Sequence, residues 1–234
     1  MSRFSVRSYQ KELIDDLHSD GPELKQTLKE LKTINKLLGG NHVTTDGVKK
    51  LLRGTRQQKF TIADVGCGRG DMMRVMANWA KKETLEAEFI GIDANPNTIK
   101  LAENNLQDLS NVAFETANVF DTGFQEVPVD IITCSLFTHH FTEEELVPMF
   151  LSFRKKARIG LVINDLHRHP LAYHSIKILA GIFSKSKQVK NDGPLSVLRS
   201  FHKQELASIL QMAGWEKFQI TWHWAFRWQV ICFK

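Results

Sequence analysis

The sequence of 234 residues is poor in cysteine, and the few cysteines that it has are scattered along the chain. Cys67, Cys134 and Cys232 are odd in number and form no C-x-x-C pair. Paired spacings are typical of disulfide frameworks and zinc sites, so we expect neither, and no bound metal. Unpaired thiols suit a reducing compartment, which predicts a cytoplasmic protein.

Long apolar runs are also missing. No stretch approaches the roughly 18–20 apolar residues that a membrane-spanning helix needs, and residues 1–4 lead into a charged helical pattern that is unlike a signal peptide. The formal net charge is only +5, and no aromatic residues lie within the basic clusters at 154–158 and 185–190. We therefore expect no nucleic acid among the partners.

Residues 1–56 are predicted to be helical and polar. Apolar residues recur at spacings of three and four from Leu24 to Leu38, which is one face of an amphipathic helix. Gly39-Gly40 ends this helix, and a second short helix is predicted at 46–53. These helices either stabilise the domain or form a lid over a pocket.

From residue 59 strands and helices alternate, which predicts a parallel sheet with helices on both faces. Pro96 lies at the first turn of one predicted helix, and Thr142-x-x-Glu145 is a capping box that opens another. The predicted strands are 60–64, 88–93, 112–116, 129–135 and 159–165, and the predicted helices include 71–81 and 96–105.

The alternation stops after the fifth strand. Residues 166–200 are polar, rich in histidine and partly helical, and we interpret them as an insertion on the substrate side. Residues 201–234 predict a helix and then two β-like runs, 215–222 and 225–233, whose short linker indicates a hairpin. The strand count and this hairpin predict one α/β domain, 1–234, with a seven-stranded sheet in the order 3-2-1-4-5-7-6 and strand 7 antiparallel.

The strongest local signal is DVGCGRGD, residues 64–71, which follows a strand and opens a helix. Its glycines let the backbone turn tightly and approach a ligand, and the N–H groups of the helix start can hold a polar or anionic group. Asp93 ends the next strand, 23 residues after Gly70. A carboxylate there can accept hydrogen bonds from both ribose hydroxyls of a nucleoside. A plain tight turn and a helix-capping Asp93 are the structural alternatives.

The glycine spacing is Gly-x-Gly-x-Gly, which differs from the Gly-x-Gly-x-x-Gly of dinucleotide-binding proteins. The order DVGCGRGD, IGIDANP, TANVFD and DIITCSLFTHHF resembles class I S-adenosylmethionine (SAM)-dependent methyltransferases over residues 59–165, and the closing hairpin extends the likeness to the end of the chain. More narrowly, RSYQKELIDD, LFTHHF, INDLHRHPLAY and NDGPLSVLRSF resemble small bacterial methyltransferases of ubiquinone and menaquinone biosynthesis and of secondary metabolism.

This resemblance implies a Rossmann-like fold, SAM as cofactor and S-adenosylhomocysteine (SAH) as product. It implies that Asp93 holds the ribose with Ala94 beside the adenine, that Asn118 and Val119 flank the adenine, and that Ser135 faces the methionine end. The family often has aspartate where this chain has Asn118, whose carbonyl oxygen can still accept a hydrogen bond from the adenine amino group. The residues that the resemblance places around the methionine part are Asp64, Gly66, Cys67, Gly68 and Gly70.

The candidate catalytic residues are His139 and His140, in the loop after the fourth strand. In this fold the loop lies beside the transferred methyl group, and a histidine can remove the proton of an attacking hydroxyl. Alternatively, one histidine only packs and orients the loop. Residues at and after the end of the fifth strand are expected to face the acceptor, with a structural Asp165–Arg168 ion pair as the alternative. The candidate acceptor-binding residues are Asp165, His167, Arg168, His174 and Arg199.

Apolar residues of the insertion and the hairpin lead to two further expectations. Ile176, Leu179 and residues 182–183 repeat at helical spacing, which suits an apolar pocket wall. Alternation places three tryptophans on one face, and we expect them to be buried in the core, with contact of one of them with an aromatic acceptor as the alternative. They are Trp222, Trp224 and Trp228.

Two motifs of other methyltransferases are missing from this sequence, and their absence narrows the chemical class of the acceptor. No Asn-Pro-Pro-Tyr or Asp-Pro-Pro-Tyr follows the fourth strand, which argues against amino methylation of DNA bases. The acidic residues that metal-dependent catechol O-methyltransferases have at the end of this strand are also absent from the sequence. We expect transfer to a small molecule, at a hydroxyl of an aromatic or polyketide-like metabolite. C-methylation of a quinone precursor and RNA methylation are the alternatives, and a monomer or homodimer is expected.

Overall fold

The computed structural model describes residues 3–55, 57–121 and 129–234, so residues 1, 2 and 56 of the predicted N-terminal segment lie outside the described part. A seven-stranded sheet has the order β3-β2-β1-β4-β5-β7-β6, and β7 is antiparallel to both of its neighbours. This confirms the predicted topology. The strands are β1 Lys59–Val65, β2 Glu86–Asp93, β3 Val112–Thr116, β4 Val129–Ser135, β5 Ala157–Leu166, β6 Lys217–His223 and β7 Arg227–Phe233.

The described helices cover both faces of this sheet and its carboxyl-terminal edge. They are α1 Gly21–Leu37, α2 Gly40–Leu52, α3 Asp71–Lys82, α4 Pro96–Leu106, α5 Glu143–Lys156, α6 Pro170–Phe183, α7 Lys187–Arg199 and α8 Lys203–Met212. Short 3₁₀ turns occur at Leu13–Asp15 and Thr138–His140. None of the described helices is long and apolar enough to cross a membrane.

The apolar core lies on the two faces of the sheet. On one face, Phe150 and Phe153 of α5 pack with α8 and the buried Trp215. On the other face, Met73 and Met76 of α3 pack with α2 and α4. Strands β4 and β7 are buried along almost their whole length because helices cover both of their sides.

The N-terminal helices pack more closely than the sequence predicts. Helix α2 begins at Gly40, six residues before the predicted start, because Gly39 takes a left-handed φ of 73° and turns the chain directly from α1 into α2. Helix α2 then lies on β5 and β7. A Cβ atom at Gly47 would lie 2.5 Å from Cγ1 of Val162, so a glycine permits this close approach of helix and sheet.

The segment 166–200 is almost entirely helical, as α6 and α7, where the sequence predicted only partial helix. Residues 8–14 run along α7, since the N–H of Ser8 donates to the carbonyl of Leu198 at 2.9 Å. The N–H groups of Leu13 and Ile14 donate to the carboxylate of Asp192 at 2.9 and 3.0 Å. The first part of the chain is therefore anchored to the insertion.

The C-terminal hairpin corrects one expectation. Trp228 on β7 is buried, but Trp222 and Trp224 are exposed, so the prediction that all three tryptophans belong to the core is wrong. Strand β6 is the edge of the sheet and pairs only with β7. Trp224 lies in the turn, where Ala225 and Phe226 take positive φ angles and end the alternation.

Candidate active site

A cavity of about 1050 Å³ lies at the carboxyl ends of β1, β2, β4 and β5. Residues 8–17 and helices α1, α6 and α7 cover its other sides. Ligand pockets commonly measure about 300–1,000 Å³, so this cavity has room for a cofactor and an acceptor together. Of the ten predicted cofactor-binding residues, Gly70 alone does not line it.

The glycine loop forms the floor of the cavity. Gly66, Gly68 and Gly70 have φ angles of 68°, 53° and 72°, a region that favours glycine. A Cβ atom at Gly66 would lie 2.2 Å from the ring of Phe137, whereas one at Gly68 would meet only Leu28, at 3.9 Å. The backbone at Gly68 is thus open to the cavity, and a ligand can approach it closely.

Asp93 holds this loop in place. The N–H of Gly68 donates to Oδ2 of Asp93 at 3.1 Å, and the N–H of Asn95 donates to Oδ1 at 3.0 Å. Burial raises the pKa of Asp93, although these two hydrogen bonds oppose the shift. Helix α4 is capped by the side chain of Asn95, so Asp93 is not its capping residue. Asp93 and Ala94 line the cavity.

Asp64 and Ser135 lie at the ends of the two central strands. The hydroxyl of Thr133 donates to Oδ1 of Asp64 at 2.7 Å, and burial raises the pKa of Asp64 to about 7. The hydroxyl groups of Ser135 and Thr44 lie 2.8 Å apart, which ties β4 to α2. Asp64 and Ser135, which were predicted to bind the cofactor, both line the cavity.

Asn118 and Val119 line the cavity on the side of β3. The N–H of Phe120 donates to Oδ1 of Asn118 at 3.1 Å. This amide oxygen, which we expected to face the adenine amino group, therefore already accepts one local hydrogen bond. A second lone pair remains on this oxygen.

His139 is buried and held by Asp165. Nδ1 of His139 lies 2.7 Å from Oδ1 of Asp165, and the hydroxyl of Thr138 donates to Oδ2 at 2.5 Å. Burial alone would raise the pKa of Asp165, but the charge and hydrogen bond of His139 together with the other donors hold it well below its usual range. When the ring is neutral and its Nδ1–H donates to the carboxylate, the lone pair is on Nε2.

His140 is held in the same way by a residue of the N-terminal segment. Its Nδ1 lies 2.6 Å from Oδ1 of Asp15. Burial raises the pKa of Asp15, but the hydrogen bond and charge of His140 outweigh this effect and lower it to about 2. Glu12 faces the first histidine, with Oε1 3.7 Å from Nε2 of His139. Burial raises the pKa of Glu12 to about 7.

Two arginines fix the backbone of the histidine loop. Nε of Arg199 donates to the carbonyl of His139 at 3.1 Å, its Nη2 donates to the carbonyl of His140, and its Nη1 lies 2.8 Å from Oδ2 of Asp15. Arg7 donates to the carbonyl groups of Arg199 and Phe141 at 2.8 and 2.9 Å. Arg199, a predicted acceptor-binding residue, thus lines the cavity and also braces both histidines.

Three residues of this cluster were not among the candidates from the sequence. They are Arg7, Glu12 and Asp15. All three belong to RSYQKELIDD, a segment that already carried the family resemblance. Their charges alone indicated a functional role only weakly, because the whole region is amphipathic. The packing of this segment on α7 is what brings them to the histidines.

The other predicted acceptor-binding residues lie elsewhere. Arg168 is fully buried and pairs with Glu205 at 2.5 Å, so the alternative ion pair between Asp165 and Arg168 is wrong. His167 packs against Trp228, with ring centroids 4.8 Å apart. His167, Arg168 and the exposed His174 do not line the cavity, and Asp165 acts on it through His139.

Apolar side chains form the wall opposite the strand ends. Ile176 and Leu179 line the cavity as predicted, and Leu24 to Leu38 of the N-terminal helix contribute its long apolar side. Ile182 and Phe183 are exposed instead, which corrects the prediction that they belong to the wall. Both residues lie in the last turn of α6, beyond Leu179, and do not line the cavity.

Comparisons with known proteins agree with this architecture. A sequence family described as "Methyltransferase domain" matches residues 56–214, and no curated protein matches significantly. The plantazolicin methyltransferase BpumL, in complex with a triazolic desmethylPZN analog and SAH, superposes with a TM-score of 0.69 at 15% identity, over 90% of each chain.

Two further solved structures share the fold. A SAM-dependent methyltransferase from Aquifex aeolicus has a TM-score of 0.60 at 16% identity and covers 88% of this chain and 96% of its own. Magnesium protoporphyrin IX methyltransferase from Synechocystis, with bound SAH, has a TM-score of 0.58 at 16% identity, over 86% of each chain. At these identities the likeness concerns the fold.

Proposed function

The chain belongs to the methyltransferase-domain family and is a SAM-dependent methyltransferase, and we propose that it methylates a hydroxyl group of a small, largely apolar acceptor such as an aromatic or polyketide-like metabolite. The observation that carries this proposal is one cavity that has the glycine loop on its floor, two carboxylate-held histidines on one side and an apolar wall on another.

The residues present fit SAM. The glycine loop leaves open backbone at Gly68, where a Cβ atom would take up cavity space. We assign the methionine part to this loop and to Asp64, and the ribose to Asp93, whose carboxylate has lone pairs beyond the two hydrogen bonds that it accepts. When bound, SAM supplies a methyl group on a sulfonium, which is a good leaving group.

The acceptor lies between the apolar wall and the histidines. Leu28, Ile176 and Leu179 offer apolar contact, which favours an aromatic or aliphatic body over a charged one. His139 and His140 each present the Nε2 edge because their Nδ1 atoms face Asp165 and Asp15. An unprotonated Nε2 is suited to the removal of the acceptor's proton, either directly or through a bound group.

The parts of the chain that are extra to the sheet lie over this site. Residues 8–17, α1, α6 and α7 cover the edge where the strands end. We infer that they act together as a lid, which aligns the acceptor oxygen, the methyl carbon and the sulfur for in-line transfer.

The described cysteines are buried and unpaired, which supports our assignment to the cytoplasm.

A methyl-transfer screen with labelled SAM tests the function. Phenols, quinols, fatty acids and tRNA are offered in parallel, and we expect transfer to a phenol or quinol, with the label on oxygen. Label on carbon would replace O-methylation by C-methylation, and label on tRNA alone would refute the small-molecule proposal. Asp93→Ala serves as the negative control, since it removes the proposed ribose ligand.

A further inference from the structure

Glu12, His139 and His140 form a cluster on the cavity wall that the proposed function does not fully explain. Each of the three side chains offers one ligand atom, and these atoms lie within 4.8 Å of one another. All three residues line the cavity. Two imidazoles and one carboxylate, with space in front of them, form a donor set typical of catalytic metal sites.

Both histidines are oriented as metal ligands are. Their Nδ1 atoms lie 2.7 and 2.6 Å from the carboxylates of Asp165 and Asp15, which leaves Nε2 as the ligand atom on each ring. Histidines that bind a metal almost always donate their other N–H to a carboxylate, a carbonyl or water. A single histidine with a carboxylate at Nδ1 is common in proteins, but here two adjacent histidines each have such a carboxylate.

The carboxylate of Glu12 supplies an independent observation. Its side chain is 2% exposed, and Oε1 accepts no hydrogen bond within the described part of the chain, whereas the hydroxyl of Ser196 donates to Oε2 at 2.8 Å. Its neighbours at Oε1 are Nε2 of His139 at 3.7 Å and Nε of Arg199 at 3.6 Å, both beyond hydrogen-bond length. A buried carboxylate oxygen without a donor is costly, and it points to a missing ligand.

Distances and charges allow a cation there. Zinc bonds to nitrogen and oxygen of about 2.0–2.2 Å put two ligands of one tetrahedral ion roughly 3.4 Å apart, close to the observed 3.7 Å between Glu12 and His139. The cluster contains the carboxylate of Glu12, and the carboxylates of Asp15 and Asp165 lie beside its histidines. The guanidinium groups of Arg7 and Arg199 oppose them, but their donors are directed mainly to backbone carbonyls.

We propose that Glu12 Oε1 and the Nε2 atoms of His139 and His140 bind one divalent transition-metal ion, of which Zn²⁺ and Co²⁺ are the probes. Its open positions would face the cavity and bind the acceptor's oxygen, which would lower the pKa of the acceptor hydroxyl so that its proton passes to solvent before the lid closes. With the ion bound, the histidines act through it and do not take the proton themselves. This catalytic role rests on the proposed function, while the ion site itself does not. This proposal differs from the expectation, drawn from the cysteine pattern, that no metal is bound.

Calorimetric titration of the EDTA-stripped, full-length protein with Zn²⁺, and separately with Co²⁺, tests the site. We expect one ion per chain and a visible Co²⁺ absorption band. Glu12→Gln and His140→Asn should abolish the one-ion binding. Asp15→Asn, which replaces the carboxylate partner of the ligand His140 and also alters the ion pair with Arg199, should weaken binding about 10–100-fold. The controls Glu103→Gln and His18→Asn change exposed residues outside the cluster and should bind as the wild type does.

Binding of neither ion by the folded wild type, or equal affinity in Glu12→Gln and the wild type, would overturn the site. Circular dichroism shows that each variant is folded. SAM binding by the stripped protein is measured in parallel and keeps the two proposals separate. If SAM binds and transfer survives stripping, the metal role fails and the methyltransferase function stands. If the ion binds but no transfer occurs to any acceptor, the site stands and the proposed function fails.

Discussion

Replacement of Asp165 by asparagine tests how the buried carboxylate supports the histidine loop. The four hydrogen bonds that Asp165 accepts are shared equally between its two oxygens. Nδ1 of His139 and the N–H of Leu166 lie 2.7 and 2.8 Å from Oδ1. The hydroxyl of Thr138 and the N–H of His139 lie 2.5 and 3.1 Å from Oδ2.

Asparagine keeps the shape of the side chain but replaces one of these oxygens by an NH₂ group, which cannot accept. Whichever oxygen is replaced, one backbone N–H loses its acceptor: that of Leu166 at Oδ1 or that of His139 at Oδ2. The other partner at each position, the His139 ring or the Thr138 hydroxyl, can accept from the new NH₂ group. An unsatisfied buried group costs about 1–3 kcal/mol, so Asp165→Asn should lower the free energy of unfolding by about 1–3 kcal/mol. That is a sizeable part of the roughly 5–15 kcal/mol that stabilises a typical domain.

Urea denaturation followed by tryptophan fluorescence measures this loss. Asp108→Asn is the matched control, because Asp108 also accepts two charged hydrogen bonds, from Arg74 at 2.7 and 2.8 Å, but on the exposed surface. Exposed ion pairs contribute little to stability. If Asp165→Asn lost no more stability than Asp108→Asn, the argument from buried, fully satisfied acceptors would be wrong. We also expect slower methyl transfer with unchanged SAM affinity, since His139 loses its partner.

Two further predictions concern the strand ends. Asp93→Ala should weaken SAM binding by on the order of 2–4 kcal/mol, because a charged acceptor for two hydroxyls is removed; calorimetric affinity within about threefold of the wild type would refute the ribose assignment. Burial raises the pKa of Asp64 to about 7, above the roughly 3.9 of an unfolded aspartate, so between these values the folded state binds more protons and stability should fall as pH rises. Asp64→Asn should flatten this slope in urea unfolding of the ligand-free protein, and equal slopes would contradict the shift.

The residues on the glycine-loop side of the cavity could be predicted because their signals are local. The positive φ angles of Gly66 and Gly68 favour glycine, and at Gly66 a side chain would also collide with Phe137. Asp93 follows from its place at a strand end, where the parallel sheet puts it next to the glycine loop. Spacing along the chain therefore carried the information that brings these residues to one cavity.

The acceptor side could not be predicted in the same way. Asp165 and Arg168 are three residues apart, yet one joins His139 and the other Glu205, because the strand ends between them and the chain turns away. Sequence distance also hid Glu12, whose contact with His139 spans more than a hundred residues and depends on the packing of the N-terminal segment on α7.

The sequence by itself determined the sheet, its order, the antiparallel last strand and the glycine floor of the cavity, because periodicity, turn residues and strand-end positions specify them locally. Tertiary structure alone decided which carboxylates hold the histidines and that the apolar wall ends before Ile182 and Phe183. A buried carboxylate acts on whatever lies within a few ångströms of it, and for Glu12, Asp15 and Asp165 those neighbours come from distant parts of the chain.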